Sequence, residues 1–268
     1  MVPRLIATDL DGTLLRSDGS LDERTRRALS EVEAAGIAVV ICTARPARWL
    51  RPLAEATGHR GVAICANGGV LWDLHTETVV EQSPLPSEIA LEVVSRLRAA
   101  LPQGHWAVER ATGFGHEPGY ATIWPVPDDT EVDAIDVLLR PAAPPPVKLM
   151  LRHPEITADD LLAHARALIG NLAEASHSSA RDTLLEISAA GVSKATALAD
   201  LCRRAGVAAA DVVAFGDMPN DLPMLVWAGT GVAVANAHEE VIAAADEVTA
   251  SNDEGGVAQV LERFLARL

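Results

Sequence analysis

The chain has 268 residues, 49% of them hydrophobic and 22% charged, the composition of a folded protein with a sizeable core and not of a disordered one. Aspartate and glutamate number 37 against 22 lysine and arginine, and the resulting charge of −15 argues against a broad nucleic-acid or anionic-membrane surface. No stretch reaches the roughly eighteen uninterrupted apolar residues of a spanning helix. The three cysteines, Cys42, Cys65 and Cys202, are odd in number and far apart, so neither a disulfide framework nor a zinc site is suggested. A soluble protein of the reducing cytoplasm, without a secretory leader, is expected.

The first element is the apolar run Leu5, Ile6, Ala7, which reads as a buried strand yet ends in two carboxylates, Asp9 and Asp11, of the segment DLDGT. Carboxylates at the end of a buried strand lose hydration unless partners or a cation compensate them. The next segment, SLDERTRRALSEVEAAG, predicts a helix capped at Ser20 and stopped at Gly36. IAVVICTAR reads as a second buried strand followed by a short helix near 47–57, and GVAICANGG as a third strand. This alternation of strand and helix is the rhythm of a parallel sheet.

From residue 82 to about 189 the texture changes: prolines cluster at Pro84 and Pro86, at Pro125 and Pro127, and at Pro144–Pro146, with glycines and aromatics interleaved. An inserted α+β module is expected there, with 1–81 and 190–268 forming one α/β core around it. The core rhythm returns with the helix SKATALADLCRRAG, the strand DVVAFGD, a short helix in NDLPMLVWAG, the strand TGVAVANA and a closing helix, VAQVLERFLARL.

Four short stretches fall just beyond the carboxyl ends of strands or at a helix start, where open parallel sheets place their ligands: DLDGT, CTAR with Thr43, GVSK with Lys194, and FGDMPND with Asp217, Asn220 and Asp221. Taken singly, each has a plain structural reading as a turn or helix cap. Lys194 is the exception, because a lysine in a first helical turn opposes the helix dipole unless an anion lies nearby. An EF-hand reading fails because Leu14 and Ser20 occupy the loop's glycine and glutamate positions, and no G-x-G-x-x-G follows the first strand to hold a dinucleotide.

Together, these stretches resemble the haloacid dehalogenase-like phosphohydrolases, in particular the Cof-type group with a large cap between the second and third motifs. The flanking ANGG (67–69 within it), GVSKATAL, GVAVANA and NDEGGVA are similar to that group's segments, so the likeness spans nearly the whole chain. It implies a Rossmann-like parallel-sheet core with an inserted α+β cap, and a magnesium-dependent phosphatase working through an aspartyl phosphate. Asp9 is then the nucleophile and Asp11 the acid that protonates the leaving alkoxide and later deprotonates water.

Asp9 and Asp217 would give the metal carboxylate oxygens and Asp11 its backbone carbonyl, with Asp221 orienting the cluster from behind. Thr43, Lys194 and Asn220 would hold the phosphoryl oxygens. Two positions depart from the group: Ala44 and Ala235 stand where many members have glycine. In the inserted module, His105, Trp106, His116, Tyr120 and Trp124 could meet a small polar substrate, although aromatics in such a module are usually core. Arg45, Asn67, His116 and Trp124 are the candidate substrate contacts, with Arg45 suited to a second anionic group or to an ion pair.

A small phosphorylated metabolite such as a sugar phosphate is the expected partner, without nucleic acid or membrane, and the oligomeric state is left open. A phosphomutase of the phosphomannomutase type and a non-catalytic phosphometabolite sensor are the alternatives. The paired Asp9 and Asp11 weigh against the sensor, since a binder needs no nucleophile and acid two residues apart.

Overall fold

The structure, a computed structural model, describes residues 2–58, 61–122, 125–179 and 182–268. They fall into two compact units, one of residues up to Val80 together with Ser193–Leu268, the other Glu81–Val192.

The first unit opens with β1 (Leu5–Thr8), all of it buried, and α1 (Glu23–Ala34). The expected cap of α1 at Ser20 is corrected to Asp22, whose carboxylate accepts from the Thr25 N–H at 3.0 Å. Ser20 instead donates its hydroxyl to Asp18 in a tight loop of its own. The buried face of α1 runs Thr25, Ala28, Leu29, Val32, the spacing of a helix with one stripe inward. Gly36 takes φ +84 just past the helix end, a conformation that suits glycine.

Then come β2 (Ala38–Cys42), α2 (Arg51–Thr57) after a single 3₁₀ turn at Ala47–Trp49, β3 (Val62–Cys65), β4 (Val70–Asp73) and β5 (Thr78–Gln82).

The second unit carries α3 (Ser87–Ala100), β6 (His105–Glu109), β7 (Phe114–His116), β8 (Glu131–Val132), α4 (Ile135–Leu138), β9 (Lys148–Arg152), α5 (Ala158–Ile169), β10 (Ala173–Ser176) and β11 (Leu184–Ala189). Its strands form one sheet in the order β10-β11-β9-β6-β7-β8, antiparallel except for β7 with β8. Alternate residues of this sheet, Trp106, Val108, Leu149, Leu151, Leu185 and Ile187, are buried in one core with Val93, Leu97, Leu161 and Ala165 of α3 and α5. Between them, Lys148 and Glu186 form a buried ion pair.

The chain returns to the first unit through α6 (Lys194–Ala205), β12 (Val212–Gly216), α7 (Leu222–Trp227), β13 (Thr230–Ala233), α8 (Glu239–Ala244), β14 (Glu247–Val248) and α9 (Gly256–Leu265). The eight-stranded sheet is ordered β14-β13-β12-β1-β2-β3-β4-β5, parallel from β14 to β3, with β4 antiparallel to β3. Strand order runs outward in both directions from β1, so the carboxyl ends of β1, β2 and β12 open at the topological switch point. Among the described residues no helix is long and apolar enough to cross a membrane.

Candidate active site

Asp9 follows β1 directly, and its backbone N–H continues the ladder to Phe215 of β12 at 3.0 Å. The chain then turns at Gly12, whose φ is +80 and whose absent side chain is required: a Cβ there would lie 2.3 Å from Asp217 Oδ2. The same turn places Thr13, buried, where its hydroxyl donates to Asp217 Oδ1 at 2.8 Å. Asn236 donates to the Gly12 carbonyl at 2.8 Å and Asn252 to that of Leu15 at 2.9 Å. The GVAVANA and NDEGGVA segments therefore clasp the loop after β1. The sequence alone gives these segments and the threonine of DLDGT no task, because the long separations, 224 and 237 residues, leave no local signal of the contacts.

Lys194 is the first residue of α6, behind a capping box between Ser193 and Thr196. Its side chain is 1% exposed, and its ammonium donates to Asp9 Oδ1 at 2.6 Å and to Asp221 Oδ1 at 2.7 Å. The anion that a first-turn lysine demands is thus supplied twice over. Asp221 Oδ2 in turn accepts the backbone N–H groups of Asp217 and Met218, both at 3.1 Å, so its two oxygens are engaged by the protein. One carboxylate oxygen from each of Asp9, Asp217 and Asp221 lies within 4.8 Å of the other two, and all three residues are buried. A solvated helical turn at 217–221 is ruled out by that burial.

The electrostatics follow from burial. Desolvation raises the Asp9 carboxyl well above its ordinary value; Lys194 pulls it down, while Asp221, Asp217 and Asp11 push it further up. Asp217 is pushed up to about 7, first by burial and then by Asp221, against the opposing hydrogen bond from Thr13. Lys194 is raised by the two carboxylates in spite of its own desolvation.

Thr43 follows β2, fully buried, and its Oγ1 accepts the Arg45 N–H at 3.0 Å. Of the two readings of Arg45, the structure gives an ion pair: its Nε and Nη2 donate to the two Asp11 oxygens at 2.8 and 2.6 Å. Asp11 is the outlying member of the group, with its side chain 51% exposed. Asn220 donates from Nδ2 to Asn67 Oδ1 at 3.0 Å, and both are buried. Ala44 and Ala235, the two departures from the family pattern, do not take positive φ, so alanine fits either backbone without strain.

Asp9, Asp11, Thr43, Arg45, Asn67, Lys194, Asp217, Asn220 and Asp221 all belong to the first unit. His116 belongs to the second, where its Nδ1 is 2.8 Å from the Glu117 carbonyl and its ring lies near those of Phe114 and Tyr120. Tyr120 is itself buried beside them, and Trp106 is wholly buried in the core under α3 and α5 and is not a substrate contact. Trp124 lies outside the described residues.

Four carboxylates, Asp9, Asp11, Asp217 and Asp221, meet two cationic side chains, Lys194 and Arg45. Two negative charges are left over when all are ionised, in a place where burial makes uncompensated charge costly. The donor set is all oxygen, and Gly12 leaves room against Asp217; these features suit a hard divalent cation. Chemically, the group offers a buried carboxylate beside an ammonium, a second carboxylate two residues on, and a hydroxyl at a loop after β2.

The haloacid dehalogenase-like hydrolase family model matches residues 6–261. The chain is 31% identical over 272 residues to the pyridoxal phosphate phosphatase of Escherichia coli K12, covering 99% of this chain and 100% of that one. It is 30% identical over 263 residues to the 5-amino-6-(5-phospho-D-ribitylamino)uracil phosphatase of Bacillus subtilis 168, covering 98% and 96%. Among solved structures, a protein of Streptococcus mutans UA159 superposes with TM-score 0.84 at 25% identity, covering 98% and 99% of the two chains. With a family match over nearly its whole length and relatives of this identity that are phosphatases, the chain belongs to the haloacid dehalogenase-like hydrolases and is a phosphatase of that family.

Proposed function

We propose that the chain hydrolyses a small phosphorylated metabolite with the help of magnesium, through an aspartyl phosphate formed on Asp9. The observation that carries this reading is the Lys194 ammonium set between Asp9 and Asp221 with Asp217 alongside, side chains drawn from three distant segments. Asp9 and Asp217, with the Asp11 backbone carbonyl, would hold the ion, and Asp221 would orient them. Bound there, the cation supplies neutralising charge to the carboxylates and to the phosphoryl oxygens.

In the first step an Asp9 oxygen forms a bond to phosphorus as the ester P–O bond breaks. Its electron pair stays with the leaving oxygen, which takes a proton from the Asp11 carboxyl. Lys194, the Thr43 hydroxyl and Asn220 hold the equatorial oxygens, where charge accumulates. In the second step Asp11 takes a proton from water as that water attacks phosphorus, and the bond to Asp9 breaks to release inorganic phosphate. Asp11 starts from its ion pair with Arg45 on the side of the loop after β2, so it must leave that pair and take up a proton from solvent before it serves as the acid of the first step.

The module at 82–189 is proposed as a cap that selects the leaving group, with His116 and Trp124 as candidate contacts. Metabolites of the kind for which the two curated relatives are named are the first substrates to try. The test is release of inorganic phosphate from an aryl phosphate without any bisphosphate activator, followed by a panel of phosphorylated metabolites. Asp9→Asn is expected to stay folded and lose turnover; an unchanged rate in that variant removes Asp9 from the mechanism.

A further inference from the structure

Three consecutive residues after β3 take left-handed backbone conformations: Ala66 at φ 50, Asn67 at φ 56 and Gly68 at φ 102. Glycine does so freely and asparagine with tolerance, but alanine does so rarely, and such outliers persist only where their surroundings over-determine them. Here the surroundings are the loops that carry the site. The Ala66 N–H donates to the Arg45 carbonyl at 2.9 Å and the Asn67 N–H to the Thr43 carbonyl at 3.1 Å. At Gly68 an added Cβ would lie 2.3 Å from the Ser193 carbonyl oxygen, immediately before Lys194. The Asn67 side chain accepts from Asn220. One strained turn thus touches three of the four chemical segments, and none of its own groups is acidic, basic or nucleophilic.

The Asn220 amide has two ends. Asn67 takes one; the other, Oδ1, is buried and has no hydrogen-bond partner among the described residues. A buried amide end without a partner is costly in the free protein, which marks it as an end kept for a ligand. Rotating both amides together about their Cβ–Cγ bonds preserves the contact and exchanges carbonyl for NH₂ at the open end, so the pair can present a donor to a phosphoryl oxygen.

We propose that Asn67 is a positioning residue: held by the left-handed turn 66–68, it fixes the Asn220 amide so that its open end meets the phosphoryl group of the substrate. This rests on the proposed phosphatase reading of the site and adds to it a residue that does not itself touch the reacting atoms.

The test compares Asn67→Gly, which keeps the left-handed backbone and deletes the amide, with Asn220→Ala and the double variant. The readouts are kcat/KM on an aryl phosphate in magnesium buffer and the rise in melting temperature given by inorganic phosphate. A hydrogen bond to a charged group corresponds to roughly a 10- to 100-fold effect. Asn67→Gly is expected to lose about that much in kcat/KM, with KM carrying most of the loss, and to lose most of the phosphate-induced stabilisation. The double variant is expected to fall no further than the worse single one.

Asn67→Asp serves if the glycine variant does not fold. It tolerates the same backbone but offers only acceptors, so Asn220 must spend its NH₂ on residue 67, and a similar loss is expected. Wild-type kcat/KM and phosphate stabilisation in Asn67→Gly or Asn67→Asp, or losses that multiply in the double variant, overturn the proposal. A wild-type protein that neither turns over the ester nor responds to phosphate is a different result: it defeats the phosphatase reading of the site and this inference with it.

Discussion

Replacing Lys194 by methionine keeps the bulk of a side chain that is 1% exposed and removes its ammonium, which is bonded to two buried carboxylates at 2.6 and 2.7 Å. Removing one partner from a buried ion pair typically costs about 3–5 kcal/mol, because the remaining charge has neither water nor partner. In a folded unit of this size each kcal/mol lowers the melting temperature by about 2–4 °C, so a drop of roughly 10 °C is expected.

The deficit has a defined pH dependence. Lys194 is what holds the Asp9 carboxyl down against desolvation, so without it that carboxyl rises further and the native state takes up a proton more readily. A carboxyl raised in the folded state contributes stability that is present below its unfolded value near 4 and is lost as pH rises through the folded value. The gap between variant and wild type should therefore be narrowest in acid and widen toward pH 8. Turnover should fall by roughly 10²–10³-fold, the loss typical of deleting a donor aimed at developing charge. Scanning calorimetry in metal-free buffer across this range, with phosphate release assayed in parallel, reads both effects. A variant that melts within about 2 °C of wild type at pH 8, or that keeps its turnover, would refute the placement of Lys194 as the charge linking Asp9 and Asp221.

Chelation of divalent ions is expected to stop turnover and added magnesium to restore it; full activity in excess chelator contradicts the charge count around Asp9 and Asp217. Gly12→Ala forces a Cβ against Asp217 at a residue with φ +80, and should cost about 1–3 kcal/mol of stability and at least tenfold in kcat/KM; wild-type kinetics in that variant would show that Asp217 can move without consequence. In metal-free protein Asp217, pushed up to about 7, favours the native state below pH 4 and loses that contribution as pH rises through 7. Asp217→Asn should therefore gain stability relative to wild type between about pH 5 and pH 8, and a constant difference across that range contradicts the assignment.

The parts of this fold legible in the sequence are those with a period. Continuous apolar runs announced β1, β2, β3, β12 and β13, and a stripe at helical spacing announced α1, because burial on both faces or on one leaves those patterns. A two-residue strand such as β14 has no period, and it went unforeseen together with the short helix α8 before it. Ser20 and Asp22, two residues apart, are both good caps for α1, and only the Asp18 loop decides between them.

At the site, the residue types were legible because carboxylates at the end of a buried strand and a lysine against a helix dipole each need explaining. Pairings were not: Arg45 with Asp11, Thr13 with Asp217 and Asn67 with Asn220 join residues 34, 204 and 153 positions apart, and only the packed sheet brings them together.

The claim that Asp9 forms a covalent bond to phosphorus has a direct chemical test. Acid quenching during turnover, followed by borohydride reduction, converts an acyl phosphate to the alcohol and turns the modified aspartate into homoserine, which peptide mass spectrometry locates. Homoserine at position 9, absent without substrate, is the expected result. Turnover with Asp9 unmodified, or homoserine at Asp11, Asp217 or Asp221 instead, would contradict the account.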